Sequence, residues 1–442
     1  MIDRLEAIEI DNIKDKNLLG NFYPLSSKDS GSQTIFDSKA ILGLLIGHIS
    51  KQKIQKKFTI ESFKEHCKKS LENKLSDKKY IDIICKLYFD SEIYLTLSSL
   101  MYQIYQSNSQ KDKSKIAFEM IFRPLLKNTT FNIETTKNLN FIEKHILDSF
   151  YFHCNENKKS DTIIENSYLE FLENNFKKDF LFLLGTKEYF LENIDRFIKF
   201  YIFIYSSQLA LNLKPYFLEQ PKARELYFIL NTETTSQERK KLVNHSYKTL
   251  LDKVGYLFPY LSALEMLKNL SGKKDLRLYQ LLNLIENSEE NAKIIDKFTN
   301  KFQEKRKIEK KELNSQNINE ALNSFLDSNY QEFFDKANSK HTVFRKYKNA
   351  FEKQIAKDFI QSRGRFGKVC VLDQEMILFI SNLSIGKNRD FLHFEELLKE
   401  FEQRGVYFDH KSKEALLALF ERVENIERKS DSGDPIYVYK TV

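Results

Sequence analysis

The side chains in this chain most able to do chemistry are cationic. Arg345, Lys346, Lys348, Lys353 and Lys357 lie among Phe344, Tyr347, Phe351, Ile355 and Phe359, with only Glu352 and Asp358 opposing them. The apolar set recurs at helical spacing, so one face of a helix is greasy and the remainder positive. The stretch runs into Arg363-Gly364-Arg365-Phe366-Gly367-Lys368, where two glycines let the backbone turn beside three cations. A basic helix flowing into a basic, glycine-containing loop is suited to seating phosphates. The competing reading is a core stripe with ordinary solvated lysines behind it.

Other chemistries fit less well. A P-loop places a first glycine four residues before Gly-Lys-Ser or Gly-Lys-Thr, so that backbone amides and a lysine surround phosphates. Gly367-Lys368 is followed by Val369 and has Ser362 at the required glycine position. A GxGxxG fingerprint is missing. For a metal, His145, His153 and Cys154 fit one helix face and His66 adjoins Cys67, yet neither group offers four converging ligands. A nuclease needs clustered carboxylates and a lysine. Asp373 and Glu375 beside Lys368 come closest, and Asp373 is better explained as a helix N-cap. Gly-x-Ser-x-Gly is absent, and Ser432-Gly433 belongs to a loop tip. No catalytic, cofactor or metal residue is assigned.

The elements that position these groups are helices. With 442 residues the chain exceeds one ordinary core. Its 41% hydrophobic and 13% aromatic content excludes wholesale disorder. Only 12 Gly and 6 Pro occur, too few for the hairpins of a sandwich or barrel. The formal charge of +8 permits a nucleic-acid partner without requiring one. Cys67, Cys85, Cys154 and Cys370 are widely spaced and read as buried thiols of a reducing compartment. Met1-Ile2-Asp3-Arg4 begins no signal peptide. The run from Phe197 to Leu213 is interrupted by Lys199 and Ser206-Ser207-Gln208, which predicts a buried core helix rather than a membrane span. A cytoplasmic protein is expected.

From Asp37 to about Leu213 helices succeed one another. Ile60-Phe63-Cys67, Tyr80-Ile84-Leu87 and Phe190-Ile194-Phe197-Tyr201 are helix-spaced. Pro215 to Pro221 marks a boundary, and Glu225 to Leu230 reads equally as a strand or a helix start. Thr235 with Glu238 has capping-box spacing, predicting a helix towards Leu251. Lys301 to Glu312 reads as an exposed helix or linker. The expected division is an N-terminal helical domain over 1–220, a second helical region over 221–340, the basic helix and loop over 341–368, and a last domain over 369–442.

That last domain is the most legible. Met376, Phe379, Ile380 and Leu383 form one helical stripe, Phe394, Leu397, Leu398 and Phe401 a second, and Leu416, Leu419, Phe420 and Val423 a third. Phe391-Leu392-His393 reads as a short strand, and Asn425–Lys429 and Ile436–Thr441 as a hairpin. The expected class is mainly α: a multi-helical body with a C-terminal winged-helix domain, a helix-turn-helix carrying a β-hairpin. Such a domain reads DNA with its third helix, about His410 to Val423. Yet from Gly364 onward 12 basic residues face 14 acidic ones. Lys411 and Lys413, at the start of that helix, stand between Asp409 and Glu414. Protein docking is at least as well supported there.

Val371-Leu372-Asp373-Gln374-Glu375-Met376, Phe401-Glu402-Gln403-Arg404-Gly405-Val406 with Phe408-Asp409, and Lys429-Ser430-Asp431-Ser432-Gly433-Asp434-Pro435-Ile436-Tyr437-Val438 together resemble the DptG (DndG) family. Asn21-Phe22-Tyr23-Pro24 is more loosely similar to that family's beginning. The resemblance covers about a fifth of the chain, and Pro435 departs from the family's small residue after Gly-Asp. It implies a component of a bacterial DNA phosphorothioation-dependent restriction system, in which proteins F, G and H act together against unmarked DNA. Nucleotide hydrolysis and translocation are then the partners' work, and this chain an adaptor. Its wing, Ser430, Asp431, Ser432, Gly433 and Asp434, is expected to contact a partner. Double-stranded DNA is a possible ligand through Arg345, Lys346, Lys353, Lys357, Arg363, Arg365, Lys368, Lys411 and Lys413. The alternatives are a free-standing winged-helix regulator and an unrecognised metal-dependent nuclease.

Overall fold

The computed structural model describes residues 13, 23–31, 33–55, 57–75, 77–106, 112–127, 139–156, 167–213, 220–261, 266, 285–309, 312–334, 340–428 and 435–442. The chain is mostly helical, with three small sheets among the described residues. It forms two compact units that do not follow linear blocks. One comprises 35–164 and 177–200, and the other 1–34, 165–176 and 201–442. Among the described residues no helix is long and apolar enough to cross a membrane.

In the first unit, α1 (Ser38–Ser50) starts at Asp37, whose carboxylate accepts from the Ala40 amide at 3.1 Å. β1 (Gln52–Ile54) follows, and α2 (Ile60–Glu72) starts at Thr59, which exchanges side-chain and backbone bonds with Ser62. α2 buries Phe63, Cys67 and Leu71, four residues apart along one face. α3 (Lys78–Cys85) and the π turn that extends it (Lys86–Asp90) bear out a helix over Tyr80-Ile84-Leu87, of which only Ile84 is buried. Ile81, Ile84, Cys85 and Tyr88 are buried, while Tyr80 and Leu87 point to solvent. α4 (Phe141–Phe152) packs on α2 through Phe150 against Phe63, ring centroids 5.8 Å apart, and β2 (Cys154–Glu156) pairs antiparallel with β1.

α5 (Glu170–Gly185) and α6 (Lys187–Asn212) contribute residues to both units. Phe190, Ile194, Phe197 and Tyr201 are all buried, as their spacing predicts. The polar breaks in α6 have backbone work to do. Gln208 bonds both the amide and the carbonyl of Arg224, at 2.8 and 2.9 Å, and Asn212 does the same for Lys222 at 3.2 and 3.0 Å. Buried amides so paired cost little.

The second unit is organised on a four-stranded sheet of order β4-β5-β3-β7. β3 (Tyr227–Leu230) is buried at every position, which resolves the strand-or-helix ambiguity of that run: a central parallel strand is apolar on both faces. The helix after it does not begin at Thr235. α7 (Lys240–His245) follows Arg239, ends at Ser246, and gives way to α8 (Tyr247–Val254); the Thr235–Glu238 capping box does not start it. α9 (Glu289–Arg306) absorbs the first half of the expected linker, and buried Arg306 pairs with fully buried Glu332 of α10 (Ile318–Phe334) at 3.2 Å.

α11 (Lys340–Phe351) precedes β4 (Ile360–Ser362) and β5 (Lys368–Leu372), an antiparallel hairpin that the residue pattern did not announce. β5 runs parallel to β3 and packs Val369 and Val371 beside Tyr227 and Ile229. α12 (Gln374–Ile385) is capped by Asp373, which accepts from Met376 N at 2.7 Å. β6 (Phe391–His393), α13 (Phe394–Gln403), β7 (Tyr407–Phe408), α14 (His410–Arg422), β8 (Ile426–Arg428) and β9 (Ile436–Tyr439) complete the chain. β6, β9 and β8 form an antiparallel sheet in that order, while the unforeseen β7 pairs parallel with β3. Residues 369–442 thus lend two strands, β5 and β7, to a sheet centred on 227–230.

Candidate nucleic-acid interface

The apolar stripe of the basic segment is core. Phe344, Tyr347, Phe351, Ile355 and Phe359 are all buried. From Phe351 the stripe steps by four, longer than the 3.6 residues of an α-helical turn, and a π turn over Glu352–Ala356 takes up the surplus. Phe359 ends it by stacking on Phe203, centroids 4.4 Å apart.

With that face buried, the cations are forced outward. Arg345, Lys346, Lys353, Lys357, Arg365 and Lys368 are exposed, and Arg363 is half-buried. They are not equally free. Lys368 pairs with the Glu352 carboxylate, Lys353 donates to the Ser30 carbonyl at 3.2 Å, and Arg363 Nη2 donates to the Asn231 carbonyl at 2.6 Å. Among the described residues Arg345, Lys346, Lys357 and Arg365 have no carboxylate within ion-pair distance. The Lys368–Glu352 pair ties the start of β5 to the π turn, so Lys353 and Lys357 share a region with the hairpin. Lys411 is exposed and Lys413 half-buried at the start of α14.

The expected glycine-containing loop is the turn of the β4–β5 hairpin. Arg363 N donates to Gly367 O at 2.8 Å, closing it, and Gly364 and Gly367 adopt φ of +55° and +90°. A Cβ would meet nothing within 4 Å at either position, so the left-handed backbone, not crowding, requires glycine. Arg365 projects from this turn. Ser430, Asp431, Ser432, Gly433 and Asp434 of the expected wing lie outside the described residues.

A second ionic group, which the linear pattern hid, sits where β3 meets α14. Arg239, 5% exposed, donates from Nε to Asp409 Oδ2 at 2.8 Å, from Nη1 to Glu233 at 2.9 Å and from Nη2 to Ser412 Oγ at 2.7 Å. Glu233 also accepts the Leu230 amide at 2.7 Å, and Asp409 caps α14 through Ser412 N at 3.0 Å. Burial alone would raise the Asp409 carboxyl, but the Arg239 guanidinium and the Ser412 bonds outweigh it and hold it below the usual carboxylate value. Both carboxylates are therefore committed to one guanidinium. The group orients α14 on the sheet.

Of the metal candidates, His145 contacts the Phe141 ring, while His66 and His153, assigned to separate groups, come together with ring centroids 5.4 Å apart. Among the described residues no three His, Cys, Asp or Glu side chains are grouped as metal ligands. No protein-family model and no curated protein matches the chain.

Proposed function

We propose that the chain is a non-catalytic, DNA-associating adaptor of a bacterial phosphorothioation-dependent restriction complex, working in the cytoplasm with F and H partner proteins. The observation that carries the DNA part is the unpaired state of Arg345, Lys346, Lys357 and Arg365 on the outer face of α11, its continuation and the hairpin turn. Exposed guanidinium and ammonium groups without carboxylate partners are suited to neutralise phosphates and release the counterions condensed on DNA. We read α12, α13 and α14 with β6, β8 and β9 as a winged helix, whose element order they follow. Because acidic residues outnumber basic ones from Gly364 onward, its third helix is better suited to protein than to duplex DNA. The assignment to a restriction complex rests on the resemblance at 371–376, 401–409 and 429–438.

Titrating duplex DNA by fluorescence anisotropy over a salt series tests the first part. Binding should be weak, independent of sequence and salt-sensitive. Lys346→Glu with Lys357→Glu and Arg365→Glu should flatten the salt slope by about 0.9 for each phosphate no longer neutralised. A tight, sequence-specific footprint would favour the regulator, and metal-dependent cutting the nuclease. Co-expression with F and H proteins tests the second part: no copurification ends the adaptor reading.

A further inference from the structure

α3 and its π-turn extension carry two apolar faces, where a surface helix needs one. Ile81, Ile84, Cys85, Tyr88 and Phe89 are buried. On the other side Tyr80, Ile83 and Leu87 are 66%, 61% and 55% exposed, and they recur at i, i+3 and i+7. A fourth exposed apolar side chain, Phe141 at 51%, opens α4 next to this turn, where Asn140 donates to the Tyr88 hydroxyl at 3.4 Å and that hydroxyl donates to Glu143 at 3.3 Å. Scattered exposed apolar groups need no explanation, but a contiguous stripe of them on a capped helix does. The border of the stripe is positive. Lys79 and Lys86 are exposed without a carboxylate at ion-pair distance among the described residues, whereas Asp82 and Asp90 are taken by Lys68 and Lys64 at 2.8 and 2.9 Å.

We propose that Tyr80, Ile83 and Leu87 receive the apolar face of an amphipathic helix belonging to a partner protein, with acidic residues flanking that face to meet Lys79 and Lys86. Anchors at i, i+3 and i+7 are the spacing at which one helix docks on another. Unpaired lysines beside them select acidic flanks and set orientation. This rests on the adaptor reading and names the chemistry of a partner surface within it.

The test titrates the full chain against two labelled helical peptides by fluorescence anisotropy. Both carry leucines along one face; one has flanking glutamates, the other flanking lysines. The glutamate peptide binds and the lysine peptide does not. Ile83→Asp with Leu87→Asp weakens binding at least about tenfold, and Lys79→Glu with Lys86→Glu transfers preference to the lysine peptide. All four positions are solvent-facing, so unchanged melting temperatures certify folding. Equal binding of both peptides, no binding of the glutamate peptide, or undiminished binding by the aspartate variant overturns the proposal. So does a homodimer that Ile83→Asp dissolves, since the stripe would then belong to a second copy. Duplex retention is measured on the same variants: it survives their loss of peptide binding, so the stripe and the DNA reading fail separately.

Discussion

Arg239 and Asp409, 170 residues apart, meet in a two-pronged ion pair inside the second unit, with Nε to Oδ2 at 2.8 Å and Nη2 to Oδ1 at 2.5 Å. The pair joins the segment after β3 to the first turn of α14. It is almost wholly buried, and every other strong donor of the guanidinium is also used. Its effect on stability is therefore asymmetric: intact it is near neutral, and broken it strands two carboxylates.

Arg239→Met should cost about 3–5 kcal/mol, the usual result of leaving buried charges unpaired. Arg239→Lys should not restore it, since one ammonium cannot serve two carboxylates, a hydroxyl and a carbonyl in one plane. Urea denaturation measures both, and a loss below about 1 kcal/mol would show that the group matters little. Because the Asp409 carboxyl is held below its ordinary 3.8, its stabilisation is complete above that pH and is lost as the pH falls through the folded-state value. Asp409→Asn should flatten the acid limb of the stability profile there.

In the first unit, burial and then neighbouring His66 push the His153 imidazole below its ordinary 6.5. The folded protein keeps that ring neutral while the unfolded chain takes up a proton. Stability from this source is full above pH 6.5, declines as the pH falls below it, and levels off once the folded-state value is passed. Thermal melts between pH 7.5 and pH 5 should show a shallower decline for His153→Gln. His48, lowered by burial and Arg123, should leave a residual slope.

Gly405 ends α13 with φ at +83°, and a Cβ there would lie 2.3 Å from Gln208 Nε2. Gly405→Ala should destabilise by about 2–4 kcal/mol, combining left-handed strain with the clash. Adding Gln208→Ala should recover part of that loss. A double-mutant cycle reporting no coupling would contradict the close approach.

Burial pushes the Cys67 and Cys370 thiols up to about 12 and Cys154 to about 11, with neighbouring Cys85 adding to the effect on Cys67. Thiolate is the reactive form. Labelling with a disulfide reagent near pH 8 should be slow in the native protein and complete for all four thiols in guanidinium. Fast native labelling of Cys370 would mean that β5 opens readily.

Local pattern determined most of the helices, though not the start of α7, where the Thr235–Glu238 spacing misled. Asp37, Asp373 and Asp409 are N-caps because a carboxylate two or three residues before a free amide satisfies it with no help from the rest of the chain. The stripes of α2, α6, α11 and α13 were legible for a related reason: periodicity reports which side of a helix avoids water. It does not report which of two apolar sides is covered: in α3 Ile84 is buried while Tyr80 and Leu87 face solvent.

Tertiary structure decided everything that depends on residues far apart. β3, β5 and β7 are two to five residues long, too short to show a period, and each is a strand only because the others lie beside it. Whether a lysine is available for phosphate depended on whether a distant carboxylate or carbonyl had reached it first: Lys368 and Arg363 are engaged, while Lys346 and Arg365 are not. Nothing near Arg239 in the chain announces its partner; the fold sets Asp409 against it. Caps and stripes are short-range physics, carried by neighbours in the chain. Ion pairs, parallel strands and exposed faces are set by where distant segments meet.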